Sequence, residues 1–565
     1  MWLSGKTVWA AVVFAAISAT AGGSDDTTFS RHMGRIPSLD PAKASSVYAG
    51  RAVGLVYETL LEYDYEARPY LLVPGLAAAM PEVSSDGCNI TFRLVTNAWF
   101  SADECFGRGS DGLLLRRRVV ADDVVFSLKR LVDTKLASSG AWLVLDQIEG
   151  IRAFAEQSAE AGKTDYTRVV SGLRAIDSET LLIKLNRASP EFLWTLAMPY
   201  AAAVPHEAVE FYGEDFGAQA TGSGAYRLAS WRRNYEMTFE RVADWRGWAG
   251  LRGVPFERLR YLVIDDVSTQ WLTFLAGEID FLGEISRDNW DAVIDHRGGL
   301  SDNLTERGIE LHSMETLEVA YIAFNFDDPV VGSNIWLRRA LNAAFDGARW
   351  EAFYNHRVVK ADGPVPPQVA GYLEDPFPWP FSLEQAAEML IQAGYPEGRD
   401  PQTGRRLKLT LDLGQTSLDT RESTELICAF FERIGVEIEP RYQNWPAFLQ
   451  RLSRRETQMF RIGWVGDYPD ALNFLQLFYG PNETPGVNRS NYHNDIYDEL
   501  YREMSAIVTA EERLGLYRQM QAIIRDECPW VFIHFPRAYS LCGRRVGNYR
   551  PHDFPYGMEK YMERR

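Results

Sequence analysis

Basic side chains are scarce relative to acidic ones in this sequence. Lysine and arginine number 59 against 77 aspartates and glutamates, a formal net charge of −18. Such a surface repels phosphate backbones and anionic headgroups, so nucleic acid and acidic membranes are excluded as partners. Cysteine is sparse as well. The five are Cys88, Cys105, Cys428, Cys528 and Cys542, with no C-x-x-C, so zinc and dithiol redox motifs lack support. The eight histidines form no metal-ligand pattern. Neither H-E-x-x-H nor G-x-S-x-G occurs, which removes two common hydrolase signatures. The chain is therefore expected to hold no metal and no cofactor and to catalyse nothing.

Long apolar runs are missing too, except at the start. Lys6 precedes an apolar stretch from Val8 to Ile17, followed by Ala19-Thr-Ala21. That is the layout of a cleaved secretory signal peptide, residues 1–21, and it predicts a periplasmic protein. The run is shorter than the ~20 residues of a membrane span. Export permits disulfides. Cys88 and Cys105 flank a predicted hairpin, and Cys528 and Cys542 flank an aromatic strand. Either pair is free to close, and spacing alone does not decide it. Cys428 lies on the apolar stripe of a helix and reads as a buried thiol.

What is present is a globular composition. With 565 residues, 46% hydrophobic and 13% aromatic, the chain should form two or three packed units. The most legible region is a β-α-β-α-β run. Leu407, Leu409, Leu411 and Leu413 alternate with Lys408, Thr410 and Asp412, a strand pattern. Leu426, Phe430 and Ile434 recur at helical spacing, and Gly435 ends that helix. Val436–Glu439 reads as a strand, Trp445–Leu452 as a helix and Met459–Trp464 as a third strand. Right-handed crossovers make such strands parallel, with ligands beyond their carboxyl ends. Arg461, Trp464, Asp467 and Tyr468 stand at such an end. A guanidinium, a carboxylate and two aromatic rings suit a zwitterion with an apolar body.

Elsewhere a Ser38–Pro41 turn leads into a helix through Val53, Tyr57 and Leu61. Ile90–Val95 and Leu181–Leu185 read as strands. Val119–Asp133 reads as a strand end entering a helix, with Asp122 or Asp123 as N-cap. Trp336–Trp350 and Glu511–Asp526 read as helices, and Trp530–Phe535 as a late strand. That strand has no sheet near it in sequence, so the tail should return to an earlier lobe. Gly107-Arg-Gly-Ser-Asp-Gly112 matches G-x-G-x-x-G but lacks the strand-turn-helix setting of a nucleotide site. Leu113–Arg118 reads as a solvated loop or edge.

Five segments in order carry a resemblance. Ser38-Leu-Asp-Pro41 through Tyr57-Glu-Thr-Leu-Leu61, Val120–Leu131, Gly222-Ser-Gly-Ala-Tyr226, Phe324-Asn325 with Trp336–Asn342, and Gly463-Trp-Val-Gly-Asp-Tyr468 resemble the family 5 extracellular solute-binding proteins of ABC transporters. The resemblance implies an α/β, two-lobed periplasmic-binding-protein fold with an extra subdomain, its hinged lobes closing around a ligand cleft. It implies lobe I at 22–61, 185–315 and 530–565, an accessory subdomain at 62–184, and lobe II at 316–529. It implies oligopeptide or dipeptide binding, delivery to the transporter's membrane permease subunits, and a monomer.

Carried over residue by residue, the resemblance puts Asp467 on a peptide's α-amino group and Gly463–Val465, with Trp464 between them, along the peptide backbone. Arg461 precedes that stretch, a pocket tryptophan falls on Trp445, and an opposing N-terminal strand falls near Val47 and Tyr48; Tyr468, read from its place at the strand end, joins them as a ligand-binding residue. One position departs. An arginine that can take a peptide carboxylate falls on Leu452, beside Arg451, Arg454 and Arg455. The alternatives are a non-peptide solute on the same fold (an oligosaccharide, an opine, a nickel or haem complex) and a hydrolase using Asp467 with Asp470.

Overall fold

The computed structural model describes residues 26–565 except 252, 287–288, 296–297 and 508–509. The signal peptide expected at 1–21 lies outside the described residues. The β-α-β-α-β run folds as its spacing predicts. Lys408–Leu413 pairs in parallel with Glu437–Tyr442 on one side and, through Leu411–Leu413, with Met459–Val465 on the other. Two helices cross over, Leu418–Glu432 and Trp445–Ser453. Each starts on a side-chain cap, Ser417 accepting from Thr420 N and Asn444 from Ala447 N. Gly435 turns out of the first helix at φ +85°.

These strands belong to a twelve-stranded sheet with an unusual centre. The strand Trp530–Cys542 crosses from one half of the sheet to the other. Its first part pairs with Glu318–Phe324 and Val358–Lys360, and so joins the parallel unit. Its second part, Arg537–Cys542, pairs with Glu310–Glu315, and its end also pairs with Phe281–Leu282. Beyond Phe281–Leu282 lie Thr28–Met33, Arg258–Val263, Glu236–Arg241 and Tyr226–Arg232. Each half has a core cluster of its own, and a third cluster joins residues of both. One half gathers Ile322, Leu341, Trp350, Leu411 and Phe430, the other Phe29, Val53, Phe239 and Tyr261. A detached four-stranded antiparallel sheet uses Glu82–Val83, Asn89–Arg93, Thr180–Lys184 and Leu173–Ala175.

Several expectations are corrected. The Val47–Val56 helix stops before Tyr57, which is extended, and Leu61 belongs to the strand Leu61–Tyr63. The span expected as one helix from Trp336 to Trp350 is two, Ile335–Ala344 and Gly347–Phe353. Phe345 turns extended and Asp346 caps the second by accepting from Arg349 N at 3.1 Å. The helix Ala121–Arg130 is N-capped at Val120, not at an aspartate. Asp123 accepts instead from Val120 N at 2.9 Å, the reciprocal half of a capping box.

The late strand is longer than Trp530–Phe535, and Pro536 and Arg537 fail to break it. All five cysteines are free thiols. Cys542 ends the 13-residue crossing strand and Cys528 lies two residues before its start, so the strand holds them roughly 40 Å apart. The arginines of the 113–118 segment are committed: Arg116 to Asp244, Arg117 to Asp123 and Glu207, Arg118 to Glu179. Among the described residues no helix is long and apolar enough to cross a membrane.

Candidate functional site

The strand Met459–Val465 decides what its residues can reach. It pairs antiparallel with Glu318–Phe324, matching Arg461 to Ile322, Gly463 to Ala320 and Val465 to Glu318. Directly paired residues share a sheet face. Arg461, Gly463 and Val465 thus lie on one face, and Ile462 and Trp464 on the other. On the opposite edge, pairing with Lys408–Leu413 stops at Arg461. From Ile462 to Val465 that edge has no strand partner among the described residues.

A cavity of about 310 Å³ opens on the Arg461 face, lined by Glu318, Tyr354, Gly414, Trp445, Gly463 and His534 among others. Arg461 donates to Ser423 Oγ at 2.8 Å and Tyr354 Oη at 3.4 Å, and its guanidinium lies 5.3 Å from the Trp350 ring centre. All three are neutral, so its charge is unspent on any carboxylate among the described residues. Trp350 Nε1 donates to His534 Nδ1 at 3.0 Å, which puts the imidazole proton on Nε2. Burial first, then Arg461 and Lys360, pushes His534 down to about 3, so it stays neutral. Gly414 lets Trp445 lie across the rim, since a Cβ there would meet Phe448 at 2.7 Å and Trp445 at 2.8 Å.

Asp467 stands past the strand's end, outside this cavity's lining, with its side chain open to the space between the halves. Protein walls still desolvate it, and burial raises its carboxyl above the ordinary range against a lowering hydrogen bond from Asn473. No cation pairs with it among the described residues. Its charge reaches the buried Tyr63 and the half-buried Tyr556, whose phenols are raised by burial first, then by neighbouring tyrosines and the Asp467 charge. Tyr63 stacks on Phe554 at 4.2 Å, and its hydroxyl has no hydrogen-bond partner among the described residues.

The other predicted residues divide. Trp464 faces away from Arg461, and its Nε1 donates to Asn473 Oδ1 at 2.8 Å; the same oxygen accepts from Asp467 N at 3.2 Å. Trp464 therefore positions the Asp467 turn. Tyr468 is buried in the core and walls no cleft, because the chain turns after Val465 and breaks the period of two. Val47 and Tyr48 are exposed, but they form the first turn of a helix capped by Ser46, not a strand. Leu452 is buried. Arg451 pairs with Asp412, Arg455 with Asp327 and Glu483, and Arg454 approaches Glu456, so none is aimed at the cavity. Asp470 is buried and paired with Arg513 at 3.0 Å, which removes it as a partner carboxylate for Asp467.

Sequence reasoning missed Glu318, Tyr354 and His534. They come from distant strands and helices, and the only local hint was the polar Glu318 opening an otherwise apolar strand. A larger open cavity of about 920 Å³ bridges the halves beside the crossing strand, between Trp290 and His356. It shares no residue with the predicted site.

Two lobes joined through a shared strand are an architecture that can close around a ligand by a hinge motion. The chain belongs to the bacterial extracellular solute-binding proteins, family 5, whose middle region matches residues 72–486. It is 25% identical over 511 residues to haem-binding protein A of Haemophilus influenzae, covering 89% of this chain and 85% of that one. It is 26% identical to the periplasmic oligopeptide-binding protein OppA of Escherichia coli K12, covering 93% and 91%. The unliganded open form of the murein tripeptide-binding protein MppA superposes with a TM-score of 0.77 at 24% identity, covering 96% and 98%. These relatives are binding proteins rather than enzymes, and the family serves ABC importers.

Proposed function

We propose that this protein binds peptides in the cleft and delivers them to the permease of an ABC importer, acting as a periplasmic monomer whose signal peptide, residues 1–21, is removed. One observation carries the reading. Among the described residues the outer edge of Ile462–Val465 has no strand partner, and a desolvated carboxylate without a cation, Asp467, stands at its end. An extended peptide can add to such an edge through its backbone, which gives affinity without sequence selectivity. Asp467 then takes the α-amino group in a charge-assisted bond. Arg461, hydrogen-bonded to Ser423 and Tyr354 and six residues upstream, takes negative charge from the ligand's other end. Trp445 covers a side chain. We assign lobe I to 22–61, 185–315 and 530–565, the accessory subdomain to 62–184 and lobe II to 316–529, with the first part of the crossing strand paired into lobe II.

Ligand identity is tested by denaturing protein purified from its native host and weighing what is released. Peptides are expected. A peptide at a hundredfold excess over its Kd should stabilise the fold by roughly 2.7 kcal/mol, read as a raised Tm. Because one relative is named for haem, haemin belongs in the same melt panel. Haemin raising the Tm while no peptide does would overturn the peptide reading.

A further inference from the structure

Glu318 is a carboxylate the proposed chemistry leaves unused. It begins the strand Glu318–Phe324, pairs directly with Val465, and lines the cavity beside Gly463. A methyl at Gly463 would lie 3.0 Å from Glu318 Oε1, so the carboxylate sits alongside the glycine, on the stretch a peptide would follow. It is half-buried, and no hydrogen-bond donor or cation partners it among the described residues. Arg461 does not neutralise it. Arg461 pairs with Ile322, so the two backbone positions are four residues or roughly 13 Å apart along the strand. Burial first, then the Asp553 charge, raises its carboxyl above the ordinary range, as expected of a group waiting for a counter-charge.

A half-buried carboxylate without a partner is costly unless something pairs with it. Asp467 lies two residues beyond Val465, so at most roughly 7 Å of chain separates them. That is about the reach from an α-amino group to a cationic side chain on the first or second residue. We propose that Glu318 is a second cation site of the cleft, taking the side-chain ammonium or guanidinium of a peptide whose α-amino group sits on Asp467, so that basic peptides are the preferred ligands. This rests on the peptide reading above.

Calorimetry with Ala-Ala-Ala, Lys-Ala-Ala and Ala-Lys-Ala tests it on the native protein, Glu318→Gln and Glu318→Asp. The native protein should favour the better of the two lysine peptides over Ala-Ala-Ala by roughly ten- to a hundredfold. That ratio should fall to within about threefold in Glu318→Gln and be largely kept in Glu318→Asp. Equal binding of neutral and basic peptides by the native protein, which needs no variant, overturns the inference and leaves the peptide reading standing. So does a ratio unchanged in Glu318→Gln. If no peptide binds at all, the peptide reading fails and this inference with it.

Discussion

Asp553 shows how much single residues depend on distant partners. It accepts from Tyr70 Oη at 2.7 Å and Leu317 N at 3.1 Å, tying the C-terminal tail to the bend before Glu318. Burial lifts its carboxyl to about 6, outweighing those two hydrogen bonds. In the unfolded chain it titrates near 3.9. The native state therefore keeps a proton that the unfolded chain gives up between about pH 4 and 6. The resulting stability is fully present below about pH 4 and is lost as pH rises through 6, on the order of 3 kcal/mol. Melts of Asp553→Asn across pH 4 to 7 should show a shallower decline over that window than the native protein. Parallel curves would mean that Asp553 does not titrate as its burial dictates.

At the scale of elements, the break between Ile335–Ala344 and Gly347–Phe353 places Trp350 under Arg461. Asp346→Ala removes the cap of the second helix and should cost about 1 kcal/mol, measured by denaturant unfolding. No loss would mean that packing alone holds the break. The same helix pair shows what the sequence could reveal. Apolar spacing marked the helical region, but the break turns on one capping aspartate. The parallel unit was legible because alternation and helical period sit in separate, well-capped segments. The crossing strand was legible only as Trp530–Phe535, since pairing with different neighbours carries it on past Pro536 and Arg537. Within the cleft, Arg461 and Asp467 were legible as charges at a strand end. The pleat then sent Trp464 to the other face, the turn buried Tyr468, and Glu318 gained meaning only through its pairing with Val465.

At the scale of the whole molecule, one strand belongs to both halves of the sheet, and a hydrophobic cluster also spans them. The Asp467 charge reaches Tyr63 and Tyr556. Closure around a ligand would remove water from around it and strengthen any charge pairing there. The central claim is that Asp467 holds a ligand's α-amino group. Calorimetry on native protein and Asp467→Asn, each with a free-amine peptide and its N-acetylated form, tests it as a double-mutant cycle. An ionic hydrogen bond contributes roughly 1.5–3 kcal/mol, so the substitution should cost the free-amine peptide about one to two decades of affinity. The acetylated peptide should bind weakly to both proteins and lose little further. Equal losses for both peptides would show that Asp467 only shapes the turn, and would contradict the account.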